Sequence, residues 1–490
     1  MAILQRVFYN YQRILVALCQ IFLVYFLLNY LHCPLAFATN SHSIASNEES
    51  THPFSIQEAW QQVLATHEGV RSEMLNTQKA DKLALASKLS FLPEISLSAL
   101  YLHLDKKLEL DVIHDRAALQ QIQANIGNTN PILSNILTTI STPITLMQQD
   151  AVLGALNIIY PIYTGGKRWY GSKIANVLAK DSREALRLRE LATFEELVGI
   201  YYAVVLHKEI LKVSEEMEQG ALIHYQNANK LYKLGQIAQI ELLTAQVAYD
   251  KAKNVTLAAR NTLEVSQLAL DSILNSTHVV PTSSLSLENY TLQNKQYYID
   301  SALQSYPALR IAANNKQIAE YKKHIAFGNF MPKLIAFGSF IATDNRSRLE
   351  QIAPNWFMGI GANWSILSPD GKIQKYQIAK IEQLHATALE SQAIKDIELL
   401  VAKSYKQVIF THQEYNSLNS SILLAKENLR LQEKAFLQGI ATSTQVNDAR
   451  NALLSSLTQQ QSIAYKEILY LAKLMALHGD ITKFFTIVHH

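Results

Sequence analysis

The chain has 490 residues, enough for more than one domain, and a net charge of +3. Near neutrality, with no basic block and no zinc-finger spacing, does not suggest a nucleic-acid binder. Hydrophobic residues make up 49% of the chain and charged residues 17%. That is little charge for a water-exposed coiled-coil protein, so part of the surface must face something other than water.

Taken in order, the chain opens with a targeting signal over residues 1–38. Arg6 and Arg13 precede an apolar run from Ile14 to Leu31, and Ala36-Phe37-Ala38 forms a small-residue cleavage pattern before Thr39. Retention of Ile14–Leu31 as an inner-membrane anchor is the alternative. Cys33 does not read as a lipoprotein cysteine, because His32 stands where a small residue is needed. Cys19 and Cys33 are the only cysteines, so the mature chain is expected to hold no disulfide, thiolate metal site or cysteine nucleophile. No later apolar run reaches ~18 residues, which excludes a second transmembrane helix.

A first unit spans 39–275. Phe54 to Ser90 reads as one helix ending before Pro93. The strand at about 91–102 follows, with Ile95, Leu97, Ala99 and Tyr101 alternating with Glu94, Ser96 and Ser98. The stretch His103–Asp150 is polar and irregular. A second strand, about 151–163, is broken by Pro161 and Gly165-Gly166. A long helical hairpin over 167–275 then begins, with a seam of Leu191, Phe194, Val198, Tyr201 and Val205 and a turn at Gly235. Residues 276–296 read as a linker.

The plan recurs over 297–478. The helix start YYIDSAL (Tyr297–Leu303) parallels FSIQEAW, and FMPKLIAFGSF parallels FLPEISLSALY. Strands are predicted at about 330–342 and 355–367, and Pro369-Asp370-Gly371 breaks the second. The hairpin 372–478 follows, with a turn near Gly439. Its first arm, Lys372 to Gln438, lacks proline and glycine, and Ile394, Val401, Val408, Tyr415, Ile422, Leu429 and Phe436 recur every seventh position. A rod of that length spans roughly 100 Å. Gly166 and Gly371 lie 205 apart, and Gly235–Gly439 and Ala245–Ala449 each lie 204 apart. Residues 479–490 read as a tail.

Four strands are too few to seal themselves from lipid, since the smallest membrane barrels have ~8. Closure therefore requires several copies of the chain, and the long seams need partner helices. A tube of hairpins on a shared barrel, behind a signal peptide, reads as an outer-membrane conduit. No HExxH, GxSxG or P-loop is present, and Gly165-Gly166-Lys167-Arg168 lacks the P-loop spacing and its Ser or Thr. An enzyme, a cofactor and a metal are not expected. The competing expectation is a periplasmic coiled-coil adaptor or tether held by an uncleaved Ile14–Leu31, although an adaptor has one hairpin and this chain shows two.

The set FLPEIS, FMPKLI, YPIYTGGKR, LSPDGK, LYKLGQIAQIELLTAQ and FLQGIATSTQVNDAR, twice in order, resembles the TolC-type outer-membrane efflux and secretion channels over roughly Phe54 to His478. The resemblance implies a mostly α fold with a membrane β-barrel sector. It implies a homotrimer with a twelve-stranded barrel in outer-membrane lipid and a periplasmic helical tunnel, in a Gram-negative bacterium. It also implies docking to a periplasmic adaptor and an inner-membrane pump. On the family pattern Asp448 occupies the place of the inner acid of the tunnel constriction. Gln445 stands in place of a second acid, Ala441 in place of an arginine tether, and Glu241 at the equivalent position of the first hairpin. Gly235, Gly439, Leu234 and Phe436 mark the hairpin tips, where an adaptor docks. Three Asp448 carboxylates ~6 Å apart would repel by roughly 0.7 kcal/mol per pair at ε of 80 and about 3 kcal/mol at ε of 20, and would recruit cations.

Overall fold

The computed structural model describes residues 52–110, 117–118, 120–122, 144–285, 287, 290–343 and 354–488. The targeting signal, most of the 103–150 stretch, and Asp344, Arg346 and Arg348 of the loop between the last two strands lie outside the described residues. Strand β1 (His52–Phe54) leads into α1 (Ile56–Thr66) and α2 (Glu68–Leu89). The single helix expected over 54–90 is thus two helices. His67 is extended, and its Nδ1 accepts the Val70 N–H at 3.3 Å, so the side chain starts a new helix where the old one stops. Ser55 and Glu58 form a capping box at the start of α1.

Strands β2 (Glu94–His103), β3 (Leu108–Leu110), β4 (Ile144–Met147) and β5 (Asp150–Tyr163) follow. Helices α3 (Lys167–Lys233) and α4 (Gln239–Leu274) make the first hairpin, and β6 (Val279–Pro281) leads to α5 (Lys295–Ser305) and α6 (Pro307–Phe327). Strands β7 (Lys333–Thr343) and β8 (Trp356–Asn363) precede the second hairpin, α7 (Lys372–Leu437) and α8 (Ser443–His478). Helix α9 (Thr482–Val488) ends the described chain. At 67 and 66 residues, α3 and α7 each run roughly 100 Å.

The strands do not form two separate pairs. They make one antiparallel sheet in the order β2-β5-β7-β8, with β5 and β7 joining the two halves of the chain. Register assigns its two faces. One carries Ile95, Leu97, Ala99 and Tyr101 of β2, Val152, Leu156, Ile158 and Tyr160 of β5, Ala336, Phe340 and Ala342 of β7, and Trp356, Met358 and Ile360 of β8. This face is apolar throughout the middle of the sheet. The other carries Ser96, Ser98, Asn157 and Ser339 among Leu, Ile and Phe side chains. Strands β2 and β8 each have one edge without a strand partner among the described residues.

The largest core lies midway along the hairpins. Phe194, Leu197, Val198, Tyr201 and Tyr202 of α3 are fully buried against Trp60, Ile468, Leu471 and Phe484. Trp60 and Phe484 both meet Phe194 edge-on, with ring centroids 5.5 and 5.4 Å away. Each such side chain contributes about 1.5–3 kcal/mol on burial. The C-terminal segment is therefore not a tail, because Phe484 of α9 is part of this core. The linker is structured as well: β6 pairs in parallel with β1, and the Tyr201 hydroxyl donates to Phe54 O at 2.8 Å.

The junctions between sheet and helices are fixed by backbone. Gly166 and Gly371 cap α3 and α7 in the left-handed region, with φ of +79° and +68°. Gly165 and Gly328 touch backbone to backbone, and a Cβ on Gly328 would sit 2.1 Å from Gly165 O. Arg168 holds the same corner by donating to Pro161 O and Ser90 O beneath the Phe91 ring. Gly328→Ala is expected to force the two halves apart at a cost of roughly 3 kcal/mol, read as a lower thermal unfolding midpoint in detergent.

Candidate functional site: the paired hairpin tips

The far ends of the two hairpins pack as a four-helix unit. Ala228, Ala245, Leu429, Phe436, Val446, Ala449 and Leu453 are buried together, contributed by α3, α4, α7 and α8. The small side chains of Ala228 and Ala245, both fully buried, allow close helix approach. Both turns use the same device. Gly235 and Gly439 have φ of +70°. The following residues, Gln236 and Ile440, return hydrogen bonds to Leu231 O and Ala435 O at 2.9 and 2.8 Å.

The predicted tip residues divide by exposure. Leu234, beside Gly235, is 71% exposed, and Ile440, beside Gly439, is 76% exposed. No atom outside the immediate chain lies within 4 Å of a Cβ placed on Gly235 or Gly439. Phe436, grouped with the tip contacts, is only 2% exposed. Its ring packs 4.4 Å from His224 between the hairpins, so in this protomer it belongs to the core beneath the tips.

The predicted constriction residues also separate. Asp448 is exposed on α8, one turn from the tip, with no hydrogen bond or ion pair among the described residues. Gln445 closes a capping box with Thr442, whose N–H donates to Gln445 Oε1 at 2.9 Å. Glu241 turns toward the second hairpin. Its Oε2 accepts the Ser443 N–H at 2.6 Å, and the Ser443 hydroxyl donates to Glu241 O at 2.9 Å. A carboxylate on the first N–H group of α8 answers both an unpaired donor and the positive end of the helix dipole. Glu241 is thus a latch between the hairpins of one protomer. Ala441 is half-buried against the tip core and offers no tether.

A charged cluster unforeseen from sequence lies just behind the latch. Arg450 is 5% exposed, and its Nη2 donates to Glu433 Oε1 at 2.8 Å. It lies against Gly220, where an added Cβ would be 3.3 Å from Nε. His224 is buried nearby, its Nε2 without a partner. Burial, reinforced by Arg450 and opposed by Glu241, pushes the His224 pKa down to about 4. A cavity of about 380 Å³ opens beside His224, Glu433, Lys434 and Phe436. The T-S-T-Q run at 442–445 carried the signal for the cap. Nothing local marks Glu241 or Arg450, because their partners sit on other helices.

The two hairpins, latched at their tips, are joined to one four-stranded sheet. Residues 59–276 match the family model described as outer membrane efflux protein. Over that stretch the chain is similar to outer membrane efflux proteins. Among solved structures, the outer membrane protein VceC from Vibrio cholerae is similar at 14% identity and a TM-score of 0.69, over 87% of this chain and 96% of that one. CusC, whose structures concern folding and transmembrane channel formation, matches at 14% and 0.70 over 89% and 96%. The open-state MtrE channel of Neisseria gonorrhoeae matches at 15% and 0.67 over 87% and 89%. At these identities the likeness establishes the fold. No curated protein sequence matches the chain.

Two outcomes follow from the cluster. Glu241→Ala removes the latch and lowers stability by about 1–2 kcal/mol, with Glu241→Gln losing less, by thermal unfolding in detergent. His224 stays neutral in the folded protein but takes a proton near its ordinary pKa of 6.5 when unfolded. Its contribution is therefore intact above pH 6.5 and is lost as the pH falls toward 4. His224→Leu is expected to reduce that acid loss by about 3 kcal/mol between pH 7 and 4.

Proposed function

We propose that the chain is an outer-membrane exit duct of a tripartite efflux pump or a type I secretion system, working as a homotrimer. The observation that carries this reading is the sheet: four strands, one face apolar through its middle rows and two edges without a strand partner among the described residues, on hairpins roughly 100 Å long. Backbone edges are not left bare in hydrocarbon. Joining β8 of one protomer to β2 of the next removes every edge in a closed ring, and three copies give twelve strands.

The dimensions fit a membrane. On the apolar face, Tyr101 lies toward one end and Tyr160 toward the other, with Trp356 in the row midway between them. Tyr101 pairs with Val152 of β5, so eight residues separate that row from Tyr160. That is roughly 27 Å of strand, or about 21 Å of depth at a tilt of ~40°, close to the ~25 Å apolar band of such barrels. Among the described residues no helix is long and apolar enough to cross a membrane.

On this reading residues 39–275 and 297–478 are two tandem units, each supplying two strands and one hairpin to the trimer. The hairpins reach into the periplasm. The exposed Leu234 and Ile440 around Gly235 and Gly439 would meet the periplasmic adaptor, which joins the duct to an inner-membrane pump. Asp448, exposed and unpaired on α8, is the acid left to line the constriction once Glu241 and Gln445 are committed to capping α8.

The duct predicts outer-membrane fractionation and a heat-modifiable trimer on gels. Inner-membrane fractionation would favour the adaptor instead. Asp448→Asn is expected to weaken block of bilayer conductance by multivalent cations several-fold, and unchanged block would remove Asp448 from the constriction.

A further inference from the structure

The second face of the sheet is unusual for a channel interior. In membrane barrels the lumenal face is ordinarily polar. Here, in register across the strands, the rows are Glu94, Ile159, Phe337 and Gly359; then Ser96, Asn157, Ser339 and Phe357; then Ser98, Ala155 and Ile341; then Leu100, Leu153 and Thr343. Among the described residues, Glu94 and Lys333 are the ionisable side chains of this face, both at its helical end. From the Asn157 row to the Thr343 row there is no charge.

The polar groups in the middle of this face largely satisfy one another. Ser339 Oγ donates to Asn157 Oδ1 at 2.8 Å, Asn157 Nδ2 donates to Ser98 Oγ at 3.4 Å, and Ser98 Oγ donates to Ala155 O at 3.3 Å. Beside this ladder lies an apolar floor. The Phe337 ring rests over Gly359, where a Cβ would meet it at 3.0 Å, and Ile335 rests over Gly361. Phe337 and Phe357 stand edge to face with centroids 6.3 Å apart, and are 36% and 42% exposed. Alternate glycines on β8 let these side chains lie against the wall rather than project from it.

We propose that Phe337 and Phe357, floored by Gly359 and Gly361, form a lumenal binding patch for uncharged aromatic small molecules. The proposal rests on the exit-duct reading, which makes this face the lumen. An ionic cargo would shed hydration here and meet no opposite charge. An uncharged aromatic ring gives up little hydration on approach and gains edge-to-face contact with both phenyl rings. The charge match thus selects uncharged or amphiphilic cargo over metal ions at this level of the duct.

Phenyl β-D-glucoside and methyl β-D-glucoside, both uncharged, test it as blockers of the full protein in planar bilayers. The phenyl compound is expected to block at about three- to ten-fold lower concentration, the range of an aromatic pair contact. Phe337→Leu with Phe357→Leu keeps the wall apolar and folded but removes the π faces, and should abolish most of that difference. Equal block by the two glucosides in the wild type, or an undiminished difference in the double variant, overturns the patch while the duct stands. A protein that reaches the bilayer but conducts nothing overturns the duct, and the patch with it.

Discussion

Every backbone N–H and C=O removed from water needs a partner, and this constraint governs the architecture. The central strands β5 and β7 meet it internally, each bonded on both sides. Strands β2 and β8 do not, because each has a bare edge. A sheet with one face apolar through its middle rows and two edges unpaired among the described residues is unfinished, and the cheapest completion is more of the same sheet. The helical part answers the same demand differently, by satisfying its backbone along each rod and leaving only side-chain seams to be matched. The chain therefore divides its labour, with strands where a closed wall is needed and helices where length is needed.

Much of this was legible in sequence because periodicity is a one-dimensional signal. The heptad from Val401 to Phe436 became a buried seam, with Val401 and Val408 fully buried and Leu429 nearly so. Its first member, Ile394, is 38% exposed, where α7 has left the central core. The turns at Gly235 and Gly439 were marked by residues that alone tolerate positive φ. The alternation of Ile95, Leu97, Ala99 and Tyr101 named one face of β2 correctly. What was missed depended on contacts between distant segments. The union of the strands into one sheet needs β5 beside β7, some 180 residues later. The break at His67 depends on a side chain folding back on its own backbone, where propensity favoured continuing the helix.

The candidate site was less legible than the fold, for a related reason. Glu241, Gln445 and Asp448 are all acids or amides on helix faces, and sequence alone gives them similar roles. In three dimensions two of them are consumed by the N-terminus of α8, one from its own first turn and one from across the hairpins. Only Asp448 keeps its carboxylate free. Arg450 illustrates the reverse case: a residue noted only as part of a repeat motif becomes a buried ion pair, accommodated because Gly220 on α3 yields it space.

The backbone contact between Gly165 and Gly328 has a mechanical consequence. It clamps the base of α3 to the end of α6 with no compressible side chain between them. Helix α3 is held again midway, at Phe194–Tyr202, so its free arm is the roughly 46 Å beyond that core, and three degrees of tilt there displaces the tip by about 2.4 Å. Added to the 2.6 Å latch contact, that displacement exceeds the reach of a hydrogen bond. Slight pivoting at a stiff fulcrum is therefore enough to part Glu241 from Ser443.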